Sequence, residues 1–480
     1  MTGSSNFNPG EFTIESIALV NQDGESVEIS KLTVGLKLYE SIYKKFCTAE
    51  LALLDGLDLL KYYKITGQEY CRISLRQREG VGEEASTENS IDKTFRIYKV
   101  ENVQRPQEKI QTYVIKMCDP RVFFSRRKRL STTMRGSWDQ MLQKTLIESA
   151  HFKAEEFDFW EKSSPENYQF ISPNWTVSTL IDFITTNASK SSSSYLNGYF
   201  FFQTLNGGFR FMDISTMFSR EFPLEFSYKP RNNAETDKVD LNAPEGLNTQ
   251  IMHYEKPKLF DTLTGTINGM YSSFMKVYNP VKKIEEDVLY DMSESFKKKD
   301  HVSGFPLIRL DADERVLTIE NVTDPTVSPS ISEVDVDLAP NKNIYTSMTY
   351  SSTMVHPFDD SSDISEPQTF RGLEEKDSAS LQRKALMETL DQHKVLVTIP
   401  LRTDLSVGTI IKLVIPPAES NTGTVTDNMN DNRYLITSMS IEASPLEYIG
   451  VCHLECVKQS YATDIASADA LSSSQDPENV

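Results

Sequence analysis

Apolar residues recur at every second position in two stretches of this chain that lie far apart, and the two stretches superimpose. Residues 95–117 moved forward by 339 positions fall on 434–456 without a gap. Phe95 meets Tyr434, Ile97 meets Ile436, Val100 meets Met439, Pro106 meets Pro445 and Ile110 meets Ile449. Tyr113, Ile115 and Met117 then land on Cys452, Leu454 and Cys456. Each copy reads as a strand, a proline-bearing bend and a second strand with the period of a half-buried strand. Both follow an earlier strand pair whose turn carries a glycine, Gly67 in one and Gly408 in the other. The pattern predicts one β-domain present twice. Its duplicated core is Phe95, Ile97, Val100, Ile110 and Ile115 in the first copy, and Tyr434, Ile436, Met439, Ile449 and Leu454 in the second.

The remaining pattern divides the chain. After an N-terminal tail (1–11), residues 12–120 form the first β-domain, opened by Ile14, Ile17, Leu19, Val27 and Ile29 and carrying the apolar strand CTAELALL (47–54). Its loop EGVGEEASTENS (79–90) is glycine-rich, acidic and solvated. Residues 121–222 read as a small α/β domain. It has a helix over 137–152 with Met141, Leu142, Thr145 and Ile147 on one stripe, and a second helix after Pro173 with Val177, Leu180, Ile181 and Ile184 at helical spacing. A hairpin follows, Tyr199–Phe202 and Phe209–Phe211 around Asn206-Gly207-Gly208. Strand signals return at 224–228, 251–255 and 264–278. Residues 223–275 and 381–460 make up the second β-domain, interrupted by an inserted excursion, 276–380, that is polar and proline-punctuated from 309 on. A helix from Leu381 to His393 leads back into the β-domain, and 461–480 is a disordered C-terminal tail. The fold class is β-rich α+β.

At 480 residues the chain exceeds one core, and 39% apolar with 25% charged residues is ordinary for globular domains. No run has the ~18 apolar residues of a membrane helix, and the start MTGSSNFNPGEF lacks signal-peptide features, which makes synthesis in a cytoplasm the expectation. A net charge of −19 argues against a general nucleic-acid binder. It is compatible with a surface that nucleic acid passes without sticking.

Candidate chemistry is sparse. Cys452-His453-x-x-Cys456 has zinc-type ligands, but the strand period sends Cys452 and Cys456 to one side and His453 to the other. Their counterparts Tyr113 and Met117 are core types that do not bind zinc. The five cysteines (Cys47, Cys71, Cys118, Cys452, Cys456) read as buried free thiols. No nucleophile elbow, P-loop or dinucleotide fingerprint is present. Carboxylate pairs such as Glu155-Glu156 and Asp359-Asp360 are expected on the surface of a chain with 69 acidic residues. Arg126-Arg127-Lys128-Arg129 reads as a solvated loop, with an acidic protein neighbour and then nucleic acid as the alternatives. Asn174-Trp175-Thr176 and Asn187-Ala188-Ser189 match glycosylation sequons, which lose meaning without a secretory signal. No catalytic residue, metal or cofactor is assigned.

Six segments carry a family resemblance. TDLSVGTIIKLVIPP, RYLITSMSIEA and VCHLECVK resemble the C-terminal part of the baseplate central hub protein of T-even-like contractile-tailed bacteriophages. NWTVSTLIDFITTNA with GYFFFQTLNGGFRFMDISTMF resembles that family's middle domain, and DTLTGTINGMYSSFMKVYNPVKK is also similar to such hubs. The resemblance implies two tail-tube-like β-barrels per subunit and a homotrimer whose six barrels join a sixfold tail tube to a threefold spike. It further implies residence in the virion baseplate and a lumen that opens for genomic DNA during ejection. The implied partners are a spike protein, a tail tube or tube-initiator protein, a tape measure protein and inner baseplate proteins. The chain ends soon after its second barrel, so on this reading the spike is a separate protein. The acidic excess is expected to line the lumen. Three rivals differ in kind: an adhesin whose aromatic hairpin Tyr199–Phe202 holds a glycan, a cell-wall hydrolase, and the hub of a phage-derived injection system.

Overall fold

Strict alternation builds the sheets. In Thr48–Asp55, Ala49, Leu51, Leu53 and Asp55 are buried while the residues between them face outward, so one face drives burial and the other stays wet. The computed structural model describes residues 9–77, 90–163, 168–190, 198–228, 248–279, 284–296, 300–307, 346–350, 376–415 and 433–461. The acidic loop after Gln77, most of the polar excursion and the C-terminal tail beyond Tyr461 lie outside the described residues, whereas Tyr461 itself, expected in that tail, is buried in a short strand paired with Phe305.

The first set of strands comprises β1 (Phe12–Val20), β2 (Ser26–Glu28), β3 (Thr33–Ser41), β4 (Thr48–Asp55), β5 (Tyr70–Gln77), β6 (Ser90–Gln107) and β7 (Ile110–Cys118). They lie in the order β3-β4-β7-β6-β5-β1-β2, all antiparallel. A middle unit follows, with short strands β8 (Arg129–Leu130), β9 (Thr133–Gly136), β10 (Phe157–Trp160), β11 (Tyr168–Ile171) and β12 (Trp175–Thr176), and the hairpin β13 (Tyr199–Gln203) and β14 (Phe209–Asp213). Helices Trp138–Ala150 and Val177–Asn187 pack in this unit, the second capped by Thr176, whose side chain accepts the Thr179 N–H. Next come β15 (Glu221–Tyr228), β16 (Gln250–Ile251) and β17 (His253–Lys258), then β18 (Ser272–Asn279), β19 (Ile284–Asp291), β20 (Phe305–Pro306) and β21 (Thr346–Tyr350). The helix Lys376–Leu390 leads to β22 (His393–Pro400), β23 (Ile410–Val414), β24 (Arg433–Ser444), β25 (Ile449–Lys458) and β26 (Ser460–Tyr461).

The second set runs β17-β22-β25-β24-β23-β15-β16. Its order matches the first strand for strand, with β17 in the place of β3, β22 of β4, β25 of β7, β24 of β6 and β23 of β5. The match extends to an irregularity. In β6 the ladder to β7 skips a residue between Ile97 and Lys99, and in β24 the ladder to β25 skips one between Ile436 and Ser438. These bulges are 339 positions apart, the offset of the apolar repeat. Gly67 and Gly408 both adopt positive φ, 89° and 76°, in the turns that lead into β5 and β23. Two pairings differ at the rim: β1 runs antiparallel to both β5 and β2, whereas β15 runs parallel to both β23 and β16.

The two sets are joined edge to edge by β24 and β3 and share one hydrophobic core. The middle unit has its own, around Trp138, Leu142, Leu180, Ile184 and Phe211. The hairpin β13–β14 fastens one to the other. All ten of its residues are buried. Phe200, Phe202 and Met212 enter the first core, while Tyr199, Phe201, Phe209 and Phe211 enter the second. At about 2–3 kcal/mol per buried large side chain, this bolt is a major term in holding the units together.

Several expectations are corrected here. The proline-bearing bend exists only in the second copy. Pro445 opens the four-residue turn between Ser444 and Ile449, but Pro106 lies inside β6 and the first hairpin turns at Glu108-Lys109. The strand read over 264–278 is a helix, Thr262–Asn268, ended by Gly269 at φ 79°, and then β18. β18 pairs with β19 and β21 over a small core of Met270, Tyr271, Met275, Tyr290 and Leu381, so the excursion begins before residue 276. The final helix stops at Leu390, and His393 opens β22. On helix Trp138–Ala150, Leu146 is the core residue and Ile147 is 39% exposed.

Candidate assembly surface

The seam between the two strand sets is the feature from which a functional surface can be built. Six residue pairs join β24 to β3, from Ser438 opposite Ser41 to Ala443 opposite Leu36. The bulge at Thr437 frees its carbonyl to accept the Ile42 N–H at 2.9 Å and the Ser41 hydroxyl at 3.2 Å. Lys37 and Glu442, directly opposite each other, form an ion pair.

The pair starts a charged row across the exposed face. Glu442 lies opposite Lys37, Lys37 opposite Glu50, Glu50 opposite Lys116, and Lys116 opposite Lys99. Lys116 reaches Glu101 at 2.6 Å and Glu50 at 3.4 Å, and Lys99 reaches Glu101 at 2.5 Å. Hydrogen bonds from Lys116 and then Lys99 hold the Glu101 carboxyl below its ordinary range. On the second set Lys394 bridges Glu455 at 2.9 Å and Asp391 at 3.2 Å. Lysines 37, 99, 116 and 394 are thus matched by glutamates 50, 101, 442 and 455. The acidic excess of the chain is not on this row.

Beneath the seam sits a buried carboxylate. Glu40 is in phase with Leu36 and Leu38 on the inward side of β3. Its Oε2 accepts the Leu205 N–H at 2.6 Å and its Oε1 the Val407 N–H at 2.7 Å. One side chain therefore ties β3 to the turn of the β13–β14 hairpin and to the loop before β23. Burial pushes its pKa up to about 7, against the pull of the two N–H donors. Gln203 extends the network, with its Nε2 donating to Asp119 at 2.6 Å and its Oε1 accepting the Cys47 N–H at 3.0 Å.

Of the core residues expected from the repeat, Phe95, Ile97, Ile115, Tyr434, Ile436, Met439 and Leu454 are buried. Val100 and Ile110 are half-buried, and Ile449, just after the hairpin turn, is 39% exposed. Cys452 and Cys456 point into the core, where burial pushes the Cys452 thiol up to about 12 and Cys456 higher. His453 faces the opposite side, with Nδ1 3.0 Å from the Thr398 hydroxyl. All five cysteines are buried free thiols, and no grouping of metal-ligating side chains occurs among the described residues. Arg126, Arg127, Lys128 and Arg129 are exposed at the end of the helix Arg121–Arg127. Aromatic residues Tyr199–Phe202 are interior, so the surface on which an adhesin reading relied is not there.

No protein-family model and no curated protein matches the sequence. Solved structures do match. The tail protein from Neisseria meningitidis MC58 superimposes with a TM-score of 0.50 over 95% of this chain and 99% of that one, at 11% identity. This chain has the fold of a tail protein. The 43 kDa tail protein of prophage MuSo2 from Shewanella oneidensis follows at 0.48, covering 93% of this chain and 99% of that one at 8% identity. An E. coli component of the type VI secretion system, described as similar in structure to bacteriophage T4 tail proteins, matches at 0.41 over 95% of this chain and 79% of its own, at 8% identity. The tail-protein fold agrees with the resemblance carried by the sequence motifs.

Proposed function

We propose that this protein is a non-catalytic structural subunit of a phage tail baseplate, a homotrimeric hub between the sixfold tail tube and the threefold central spike. The observation that carries the reading is the pair of equivalent strand sets, matched in order, offset and bulge, fused edge to edge in one chain. Each set is read as one tube-like barrel. Three chains then supply six similar barrels to a sixfold partner while keeping true threefold symmetry for the spike. Closed symmetry also covers sheet edges that would otherwise template aggregation.

The exposed face bearing the charged row lines the conduit in this reading. Its lysines are already held by glutamates, so they do not gain from releasing counterions off DNA phosphates. The expected acidic lumen becomes a neutralised one, through which genomic DNA slides without specific binding. The tube or tube initiator, spike, tape measure and inner baseplate proteins are the partners, and the virion tail is the location. Electron-microscopic averages of the purified assembly down its axis provide the test. A ring with six similar lobes and threefold symmetry is expected. A ring of six identical chains, or a lone elongated particle in the presence of the spike, overturns the reading.

A further inference from the structure

Within one chain the edge of β24 beyond its bulge is filled by β3. The equivalent edge of β6 is bare among the described residues. β5 covers β6 only from Ser90 to Arg96, and beyond that point β6 pairs with β7 alone. The equivalent of β3 is β17, which pairs with β22 and with no other described strand. Each chain thus carries one satisfied seam and the two halves of a second one, on different strands.

We infer that a second copy of this chain lays its β17 antiparallel on the distal half of β6, with Lys258 opposite Glu101 and Glu255 opposite Gln104. This rests on the hub reading and specifies the contact that closes the ring. The register comes from tracing the ladders. Tyr39 reaches Cys118 through Thr48, and Lys258 reaches Val457 through Lys394. Cys118 and Val457 are equivalent at the repeat offset, so Lys258 stands where Tyr39 stands. In the filled seam Tyr39 lies opposite Ser440, whose equivalent is Glu101. Along the same ladders Glu255 stands at the place of Lys37 and Gln104 at that of Glu442.

Two irregularities support the match. Relative to β3, β17 carries one extra residue between Glu255 and Lys258. Relative to β24, β6 carries one extra residue between Glu101 and Gln104, where Asn102 takes φ 58°. An insertion on one edge alone would throw the strands out of register. Here both edges have one at the same place, so the ladder resumes in phase beyond it. Pro257, which has no N–H to donate, falls inside this irregular stretch, where a missing donor costs no ladder bond. Side chains agree as well. Glu101 and Lys258 are of opposite charge, each already paired within its own chain, Glu101 with Lys116 at 2.6 Å and Lys258 with Asp391 at 2.8 Å, and one step along the ladder Leu259, 46% exposed, stands opposite the half-buried Val100.

Paired cysteines test this directly. Full-length protein carrying Glu101→Cys and Lys258→Cys is oxidised mildly and run without reductant. The native cysteines are buried and contribute little background. Bands at two and three times the 54.5 kDa chain, 109.0 and 163.5 kDa, are expected as the major products. A control with Glu101→Cys and Glu255→Cys separates the sulfurs by three strand residues, about 10 Å, beyond disulfide reach, and is expected to stay at the single-chain mass. Mixing the two single variants should stop at the dimer band. If the unoxidised double variant has a trimeric native mass yet yields no ladder, or if the control links as well, the register is wrong and the hub reading stands. If the native mass is that of one chain with the spike present, the hub reading fails and this contact with it.

Discussion

Ile97 and Ile436 offer the sharpest internal comparison, because they occupy equivalent sites on either side of the seam. Both are fully buried in the shared core, immediately before their bulges, opposite Met117 and Cys456. Ile→Ala removes three carbon groups, worth about 0.8 kcal/mol each on transfer, or about 2.4 kcal/mol. A remaining cavity of roughly 50 Å³ at ~24 cal/mol per Å³ adds about 1.2 kcal/mol. Each substitution alone is therefore expected to cost about 3–4 kcal/mol, and the two costs should agree within about 1 kcal/mol because the sites are equivalent. Equilibrium unfolding followed by far-ultraviolet circular dichroism reads the sheets. All three tryptophans, Trp138, Trp160 and Trp175, belong to the middle core, so their fluorescence reads that unit separately. Both variants should move the dichroism transition equally. A loss under about 1 kcal/mol for either one, or a loss at one site that moves a different transition from the other, refutes the equivalence.

Two further outcomes follow from buried groups. Glu40 has a folded pKa of about 7 against an ordinary 4.5, so its contribution is fully present below pH 4.5 and lost as pH rises through about 7. Stability of the native protein relative to Glu40→Gln should fall by up to ~3 kcal/mol across that window, and a relative rise in parallel urea titrations would contradict the assignment. Chelator should leave the unfolding temperature unchanged, since Cys452 and His453 point to opposite faces. Stoichiometric zinc by elemental analysis would revive a metal site there.

Much of the sheet was legible because one face is wet and the other dry, which writes a period of two into strands such as Phe12–Val20 and Arg433–Ser444. The repeat was legible for the same reason. Its alignment nonetheless hid a compensation: the first hairpin has two extra strand residues and a turn shorter by two, so its length is unchanged while Pro106 and Pro445 fall in different structures. Spacing alone does not register such an exchange. The hairpin β13–β14 was legible as a hairpin but not as the joint between two cores, because it packs on both faces, and a strand buried on both sides loses its alternation. Glu40 did leave a signal. A carboxylate stands in phase with Leu36 and Leu38, at a position where the period demands a buried side chain. Asp55, in phase with Leu51 and Leu53, is a second case: it is buried and accepts the N–H groups of Leu57 and Leu59 and the Tyr113 hydroxyl. Both serve packing and joining. The edges of β6 and β17 were invisible in the sequence, since pairing partners of an edge are set by tertiary order.

The central claim is that three of these chains close into one ring, and native mass measurement of the purified full-length protein, alone and with its spike protein, tests it most directly. Three chains of 54.5 kDa give 163.5 kDa, and that mass, or that mass plus the spike, is the expected result. A particle that stays at 54.5 kDa in both conditions, or one that assembles as a dimer or hexamer, contradicts the account.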